Sequence, residues 1–303
     1  MSALLLSFGP RTANICRSRA LQRAFLSRQA GQPVHLRYDK LAPEDGMESG
    51  CPLVILHGLF GTKRNWLSLS KAFMKDLHRS IYSLDLRNHG SSPHAAPMTY
   101  AHMAEDVVQF CKEHSLSRVS LLGHSMGGKV AMTVALGSNT PPDLLEQLIV
   151  ADIAPSKGDL SPTFRNYVKA MQIIEERKVT SRREAQDILS DYEQDPMIRA
   201  FLLTNLIESH GVMKFRIPLD IIGPNISELG SFPYEPGERQ WNGPTLFVKG
   251  NQSKYINKNN IPLAKEFFPR MVLKTLDAGH WVHAEKPNEF KELVTDFIKN
   301  VRG

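Results

Sequence analysis

One serine constrains this chain more than any other residue. It sits in Gly123-His124-Ser125-Met126-Gly127, which reads Gly-x-Ser-x-Gly. An apolar run at 118–122 precedes it, of the length of a buried strand. Residues 127–136 follow and suit a helix once past their glycines. Strand, tight turn and helix together hold a serine on a strained bend with its hydroxyl projecting. Gly123 and Gly127 let strand and helix approach where a Cβ would clash. Five residues alone are a weak signal, because glycine and serine abound in loops. The flanking pattern makes Ser125 a candidate nucleophile.

A serine hydroxyl is a poor nucleophile at neutral pH. It needs a base, a group that orients the base, and donors for the developing oxyanion. The motif resembles the nucleophile turn of the α/β-hydrolases, and that resemblance implies the order Ser, acid, His along the chain. Asp277-Ala278-Gly279-His280-Trp281 follows a predicted strand at 271–276. That makes His280 the candidate base among 11 histidines. His283 reads as a packing or loop residue. His57 precedes the serine and reads as shaping its own loop. That loop, His57-Gly58-Leu59-Phe60-Gly61, follows an apolar strand at 52–56. It offers the Leu59 N–H to an oxyanion, with the Met126 N–H as second donor.

The acid is harder to place. The predicted strand at 244–250 is followed by Asn251-Gln252-Ser253-Lys254, which contains no carboxylate. The strand at 147–151 does run into one, so Asp152 is the favoured acid and Asp220 the alternative. Asp277 is too close to His280 in sequence to orient it comfortably. Asp85 ends a strand before Ser125 and reads as bracing the loop that follows.

The chain has 303 residues, enough for one large α/β domain with an insertion. Strands are expected at 34–38, 53–56 and 81–85. Helices at 67–77, 101–114 and 288–301 alternate with the strands, which implies a mostly parallel sheet with helices on both faces. Ligands on such sheets bind at the carboxyl ends of the strands, where Leu59, Ser125, Asp152 and His280 would all lie. Residues 156–240 break the rhythm and read as helices at 164–176, 182–192 and 197–207. Their apolar stripes would form a helical cap over the nucleophile.

Net charge is +6, from 37 Lys and Arg against 31 Asp and Glu. Arg11, Arg17, Arg19, Arg23, Arg28 and Arg37, in an acid-free stretch, supply the excess. The remainder is balanced, so a nucleic-acid-binding face is not indicated. The Arg- and Ser-bearing start, residues 1–32, reads as a mitochondrial targeting segment, which would place the protein in the matrix. No apolar stretch reaches the roughly 18 residues of a transmembrane segment. The three cysteines (Cys16, Cys51, Cys111) argue against a disulfide framework, and Cys51 and Cys111 read as buried small residues. His78, His89, His94 and His102 read as loop or surface residues. No metal-ligand spacing or phosphate loop appears, so neither metal nor cofactor is expected.

With these motifs together the chain resembles the α/β-hydrolase superfamily. Within it the likeness is to the alpha/beta hydrolase domain-containing 11 group. It is carried by His57-Gly58-Leu59-Phe60-Gly61, Asp85-Leu86-Arg87-Asn88-His89-Gly90, Gly123 through Lys129, Phe201-Leu202-Leu203-Thr204-Asn205-Leu206 and Ala278-Gly279-His280-Trp281. The resemblance implies a mitochondrial serine hydrolase acting on esters, with diacylglycerol lipase activity attributed to the group. Similar bacterial esterases have an acid matching the position of Asp152. The wider group includes yeast ethanol acetyltransferases, which pass the acyl group to an alcohol. Three functions therefore compete: ester hydrolase, acyltransferase and non-catalytic binding scaffold. Intact Ser125 and His280 argue against the last, and no sequence feature separates the first two. The substrate would be a small ester or lipid, and no protein partner is indicated.

Overall fold

A computed structural model describes residues 31–300 except 45, 47 and 159. The targeting segment expected at 1–32 lies almost wholly outside the described residues. Seven strands form the main sheet: β1 (Tyr38–Leu41), β2 (Leu53–Leu56), β3 (Ile81–Leu84), β4 (Val119–His124), β5 (Leu145–Ala151), β8 (Thr245–Gly250) and β9 (Met271–Leu276). Their order is β1-β3-β2-β4-β5-β8-β9, and only β1 runs antiparallel to its neighbour. This is the α/β-hydrolase sheet.

Alternation along the strands builds two core layers, because successive side chains point to opposite faces. Val54, Leu56, Leu121, Leu148, Val150 and Phe247 face one layer. Helices α2 (Tyr100–Glu113), α3 (Met126–Leu136) and α8 (Ile261–Phe267) cover it. Leu53, Ile55, Leu122, Ile149, Leu246 and Val248 face the other. There α1 (Leu67–Leu77) and α9 (Pro287–Asn300) pack together through Phe73, Phe290 and Val294, all fully buried. Truncating Phe290 to Ala would cost about 3–5 kcal/mol by the usual cavity penalty.

Register sets up the site. Leu56 pairs with Gly123, His124 with Ala151 and Ala151 with Val248. The residues leaving β2, β4 and β5 therefore emerge together at one sheet edge. Those leaving β9 emerge beside them, with Gly250 paired to Leu276.

Between β5 and β8 the chain leaves the sheet. It forms α4 (Pro162–Glu176), α5 (Arg182–Ser190), α6 (Pro196–Leu202), a hairpin of β6 (Leu206–Ser209) and β7 (Val212–Phe215), and α7 (Leu219–Asn225). The expected helix at 197–207 is corrected here: it stops at Leu202, passes through a 3-10 turn and enters the hairpin. The hairpin turns on His210 and Gly211, whose φ angles are 53° and 77°. A two-residue turn with both φ positive matches the twist of paired strands.

The expected strand at 34–38 is also corrected, since pairing starts only at Tyr38. Upstream the backbone is claimed by side chains. The Val34 N–H donates to Asp106 Oδ1 at 2.7 Å, and the Arg37 N–H to Ser92 Oγ at 2.8 Å. Cys111 is buried but Cys51 only half-buried, against the expectation for both.

Candidate active site

Ser125 sits between β4 and α3 with φ 53° and ψ −119°, a conformation that L-residues rarely adopt. Close packing beneath it enforces the bend. A Cβ at Gly127 would lie 2.5 Å from the His57 carbonyl oxygen, and one at Gly123 would overlap the Gly127 carbonyl. Two backbone bonds fix the turn: Ser125 N–H to the Ala151 carbonyl at 3.0 Å and Lys129 N–H to the Ser125 carbonyl at 3.1 Å.

The hydroxyl meets a chain of partners. Ser125 Oγ is 3.0 Å from His280 Nε2, and His280 Nδ1 is 2.8 Å from Asp152 Oδ2. With its proton on Nδ1, the imidazole donates to Asp152 and accepts from Ser125. Asp152 is fully buried and also has a positive φ, 49°. Its Oδ1 accepts the Gly250 N–H at 2.9 Å, and Ser253 Oγ donates to its Oδ2. The 251–254 loop, which lacks a carboxylate of its own, thus grips one from the neighbouring strand.

The other carboxylates lie elsewhere. Asp220 is exposed in the first turn of α7; Asp152, not Asp220, meets His280. Asp277 is exposed and accepts from the Asn251 and Gln252 amides. Asp85 binds the Lys63 N–H and ammonium at 2.7 and 2.6 Å and the Ser91 N–H at 2.8 Å. Burial pushes its pKa up, but Lys63 outweighs that and holds it below the ordinary value.

The 57–61 loop is held by two buried imidazoles. His57 donates from Nδ1 to the Gly58 carbonyl at 2.8 Å and accepts the Leu86 N–H at 3.0 Å. His89 donates to the Arg87 carbonyl at 3.0 Å and accepts the Phe60 N–H at 3.2 Å. Burial lowers the pKa of both, His89 to about 3, so each stays neutral with one tautomer fixed. His89, expected as a loop or surface residue, lies in a loop and is buried there as a brace. Phe60 N–H is thereby spent on His89 and Gly61 N–H on the Gly58 carbonyl. The Leu59 N–H meets no acceptor among the described residues. Met126 opens α3, where first-turn N–H groups lack helical partners.

A chamber of about 210 Å³ lies over Ser125. Leu59, Phe60, Phe164, Tyr167, Phe201 and Trp281 supply much of its apolar wall. His57, His124, His280 and His283 also line it. Burial, with repulsion from neighbouring imidazoles, drives the pKa of His124 well down and that of His283 to about 3. His280 alone of the four bonds a carboxylate. His124 Nε2 donates to the His280 carbonyl at 3.0 Å, and Glu285 accepts the N–H groups of Gly279 and Trp281 at 2.7 and 3.1 Å. His283 stacks on Trp66 with ring centroids 4.3 Å apart, and its buried Nδ1 has no hydrogen-bond partner among the described residues. No cluster of three His, Cys, Asp or Glu suited to a metal occurs among the described residues.

A family model described as alpha/beta hydrolase fold matches residues 52–172. The chain is 40% identical over 276 residues to the sn-1-specific diacylglycerol lipase ABHD11 of Xenopus tropicalis, covering 89% of this chain and 84% of that protein. The chain belongs to the alpha/beta hydrolase family. A Saccharomyces cerevisiae protein named probable alcohol acetyltransferase is 36% identical over 310 residues, covering 94% of this α/β-hydrolase and 89% of the yeast chain. A solved marine microorganism esterase superposes with a TM-score of 0.79 at 39% identity, over 87% of this chain and 99% of the esterase.

Sequence reasoning gave no role to two residues that fasten the insertion to this hydrolase core. Lys129, buried on α3, donates to the carbonyls of Ser156, Gly230 and Ser231 at 2.9, 3.0 and 2.7 Å. It ties both ends of the insertion to the helix that carries Ser125. Burial lowers its pKa to about 8. Asn205 Nδ2 donates to the Phe60 carbonyl at 2.7 Å and docks the middle of the insertion on the 57–61 loop. Both lie in motifs of the family resemblance, the only signal the sequence held for them.

Proposed function

We propose that this α/β-hydrolase cleaves carboxylic esters through an acyl-enzyme on Ser125, with lipid esters of the acylglycerol class as substrates. The observation that carries the reading is the continuous contact from Ser125 Oγ through His280 to Asp152. Ser125 attacks the ester carbonyl while His280 Nε2 takes its proton. Asp152 holds the imidazole in position and stabilises its charged form. Donors at Leu59 and Met126 receive the oxyanion. His280 then gives the proton to the departing alcohol, and water, deprotonated by the same imidazole, releases the acid. The apolar chamber and the likeness to a diacylglycerol lipase support the substrate class.

A second reading has an alcohol replace water in the last step, and the likeness to the yeast acetyltransferase favours it. Incubation with diacylglycerol, with and without added alcohol, separates the two. Free fatty acid and monoacylglycerol are the expected products. A new ester as the main product would favour transfer, and unchanged turnover by Ser125→Ala would sink both. The Arg-rich, acid-free residues 1–32 are proposed to direct the chain to mitochondria. A fluorescent protein fused after residue 32 of the chain should co-purify with mitochondria; a diffuse signal would refute this.

A further inference from the structure

Beside the Ser125 chamber runs a second, outer cavity of about 400 Å³, lined by Asp195, Met197, Ile198, Phe201, Trp281 with Ala284 and Glu285. Ile198, Phe201 and Trp281 line both spaces. The rings of Phe201 and Trp281 meet edge to face at 6.4 Å where the two spaces adjoin. Met197 is 77% exposed on the outer lip.

We propose that this groove binds the apolar chain on the alcohol side of the ester, so that the acyl group alone occupies the inner chamber. The inference rests on the ester-hydrolase reading. Two observations carry it. First, the chamber, about 210 Å³, falls below the roughly 300–1,000 Å³ usual for drug-sized ligands. A lipid ester with two chains must extend out of it, and the groove adjoins it along three shared lining residues. Second, the side is set by chemistry. The leaving oxygen must come within hydrogen-bond reach of His280 Nε2 to receive its proton. The groove begins at the next residue, Trp281, whose ring centroid is 5.6 Å from that of His280. Phe60, Phe164 and Tyr167 line the chamber but not the groove, with Phe60 and Phe164 rings 6.4 Å apart. A chain attached to the leaving oxygen therefore runs outward past Trp281 and over Ile198 and Met197. A flexible methionine at the lip adapts to chains of different shape.

The test uses two ester series on the purified protein. One holds the acid as acetate and lengthens the alcohol from ethyl to octyl. The other holds the alcohol as ethyl and lengthens the acid from acetate to octanoate. The expected result is that Met197→Glu lowers the octyl acetate to ethyl acetate ratio of kcat/KM by about 10-fold, the scale of one or two buried methylenes, and leaves the acid series ratio as in wild type. Ala284→Trp, which fills the groove, should do the same. A fall in the ethyl octanoate ratio instead would make the groove an acyl site and overturn the proposal. So would ratios that do not move in either series. If the wild-type protein hydrolyses no ester of either series, the ester-hydrolase reading falls, and this one with it.

Discussion

The two halves of the site are built on opposite principles. The sheet half, with Ser125, Asp152, His280 and the 57–61 loop, is held by hydrogen bonds at buried positions. The insertion half presents Phe164, Tyr167, Ile198 and Phe201 to the same chamber, and its polar ties to the core include Lys129 and Asn205. Chemistry needs atoms held to fractions of an ångström, which fixed tautomers and strained strand ends supply. Apolar selection needs surface and volume, which a tethered insertion can change without disturbing the reacting groups.

The comparison breaks most visibly in the sheet half. Asp152→Asn keeps the shape but offers an amide where His280 needs an acceptor. We expect kcat for ester hydrolysis to fall by about 10⁴-fold with Tm nearly unchanged, the scale seen when a triad acid is neutralised. A fall below 10-fold would mean that Asp152 does not orient His280.

Tether loss comes next. Lys129→Met removes a donor from three carbonyls, those of Ser156 and Ser231 half-buried and that of Gly230 buried and still bonded to the Gly158 N–H, at about 1–3 kcal/mol for each group that water cannot reach. Allowing for partial hydration, we expect a total stability loss of about 2–4 kcal/mol in urea unfolding. Proteolytic cleavage should quicken within 156–240 before the sheet is attacked. Uniform cleavage across the chain would show that the two halves are not separately fastened.

The smallest effect sharpens the role of the buried imidazoles. His283 has a folded pKa of about 3, against roughly 6.5 in an unfolded chain. Between those values the unfolded chain binds a proton that the folded one refuses, so stability drops as pH falls through that window. From pH 7.5 to 5 this histidine should cost about 2 kcal/mol, at up to about 1.4 kcal/mol per pH unit below its unfolded value. His283→Phe keeps the stack on Trp66 and cannot titrate. Its urea stability should lose about 2 kcal/mol less than wild type over the same interval; equal losses would contradict the buried neutral state.

What the sequence made legible follows the same division. Ser125, Asp152 and His280 lie where apolar strands end, and strand ends are visible in a run such as 147–151. The parallel order of the sheet followed from strands alternating with helices. The insertion was harder. The stretch 197–207 has the apolar spacing of one long helix, and only the pairing of Leu206–Ser209 with Val212–Phe215 around His210-Gly211 ends it. Short helices such as Ile261–Phe267 carry too few residues for a period to show. Lys129 and Asn205 bond to carbonyls far away in sequence, which no local pattern reports.

The central claim is that His280 and Asp152 make Ser125 a nucleophile. Its most direct test is mass spectrometry with peptide mapping after fluorophosphonate labelling of the purified protein. The account predicts a single adduct on Ser125 that disappears in His280→Ala. A folded wild-type protein that takes no label, or an adduct on Ser125 that persists without His280, would contradict it.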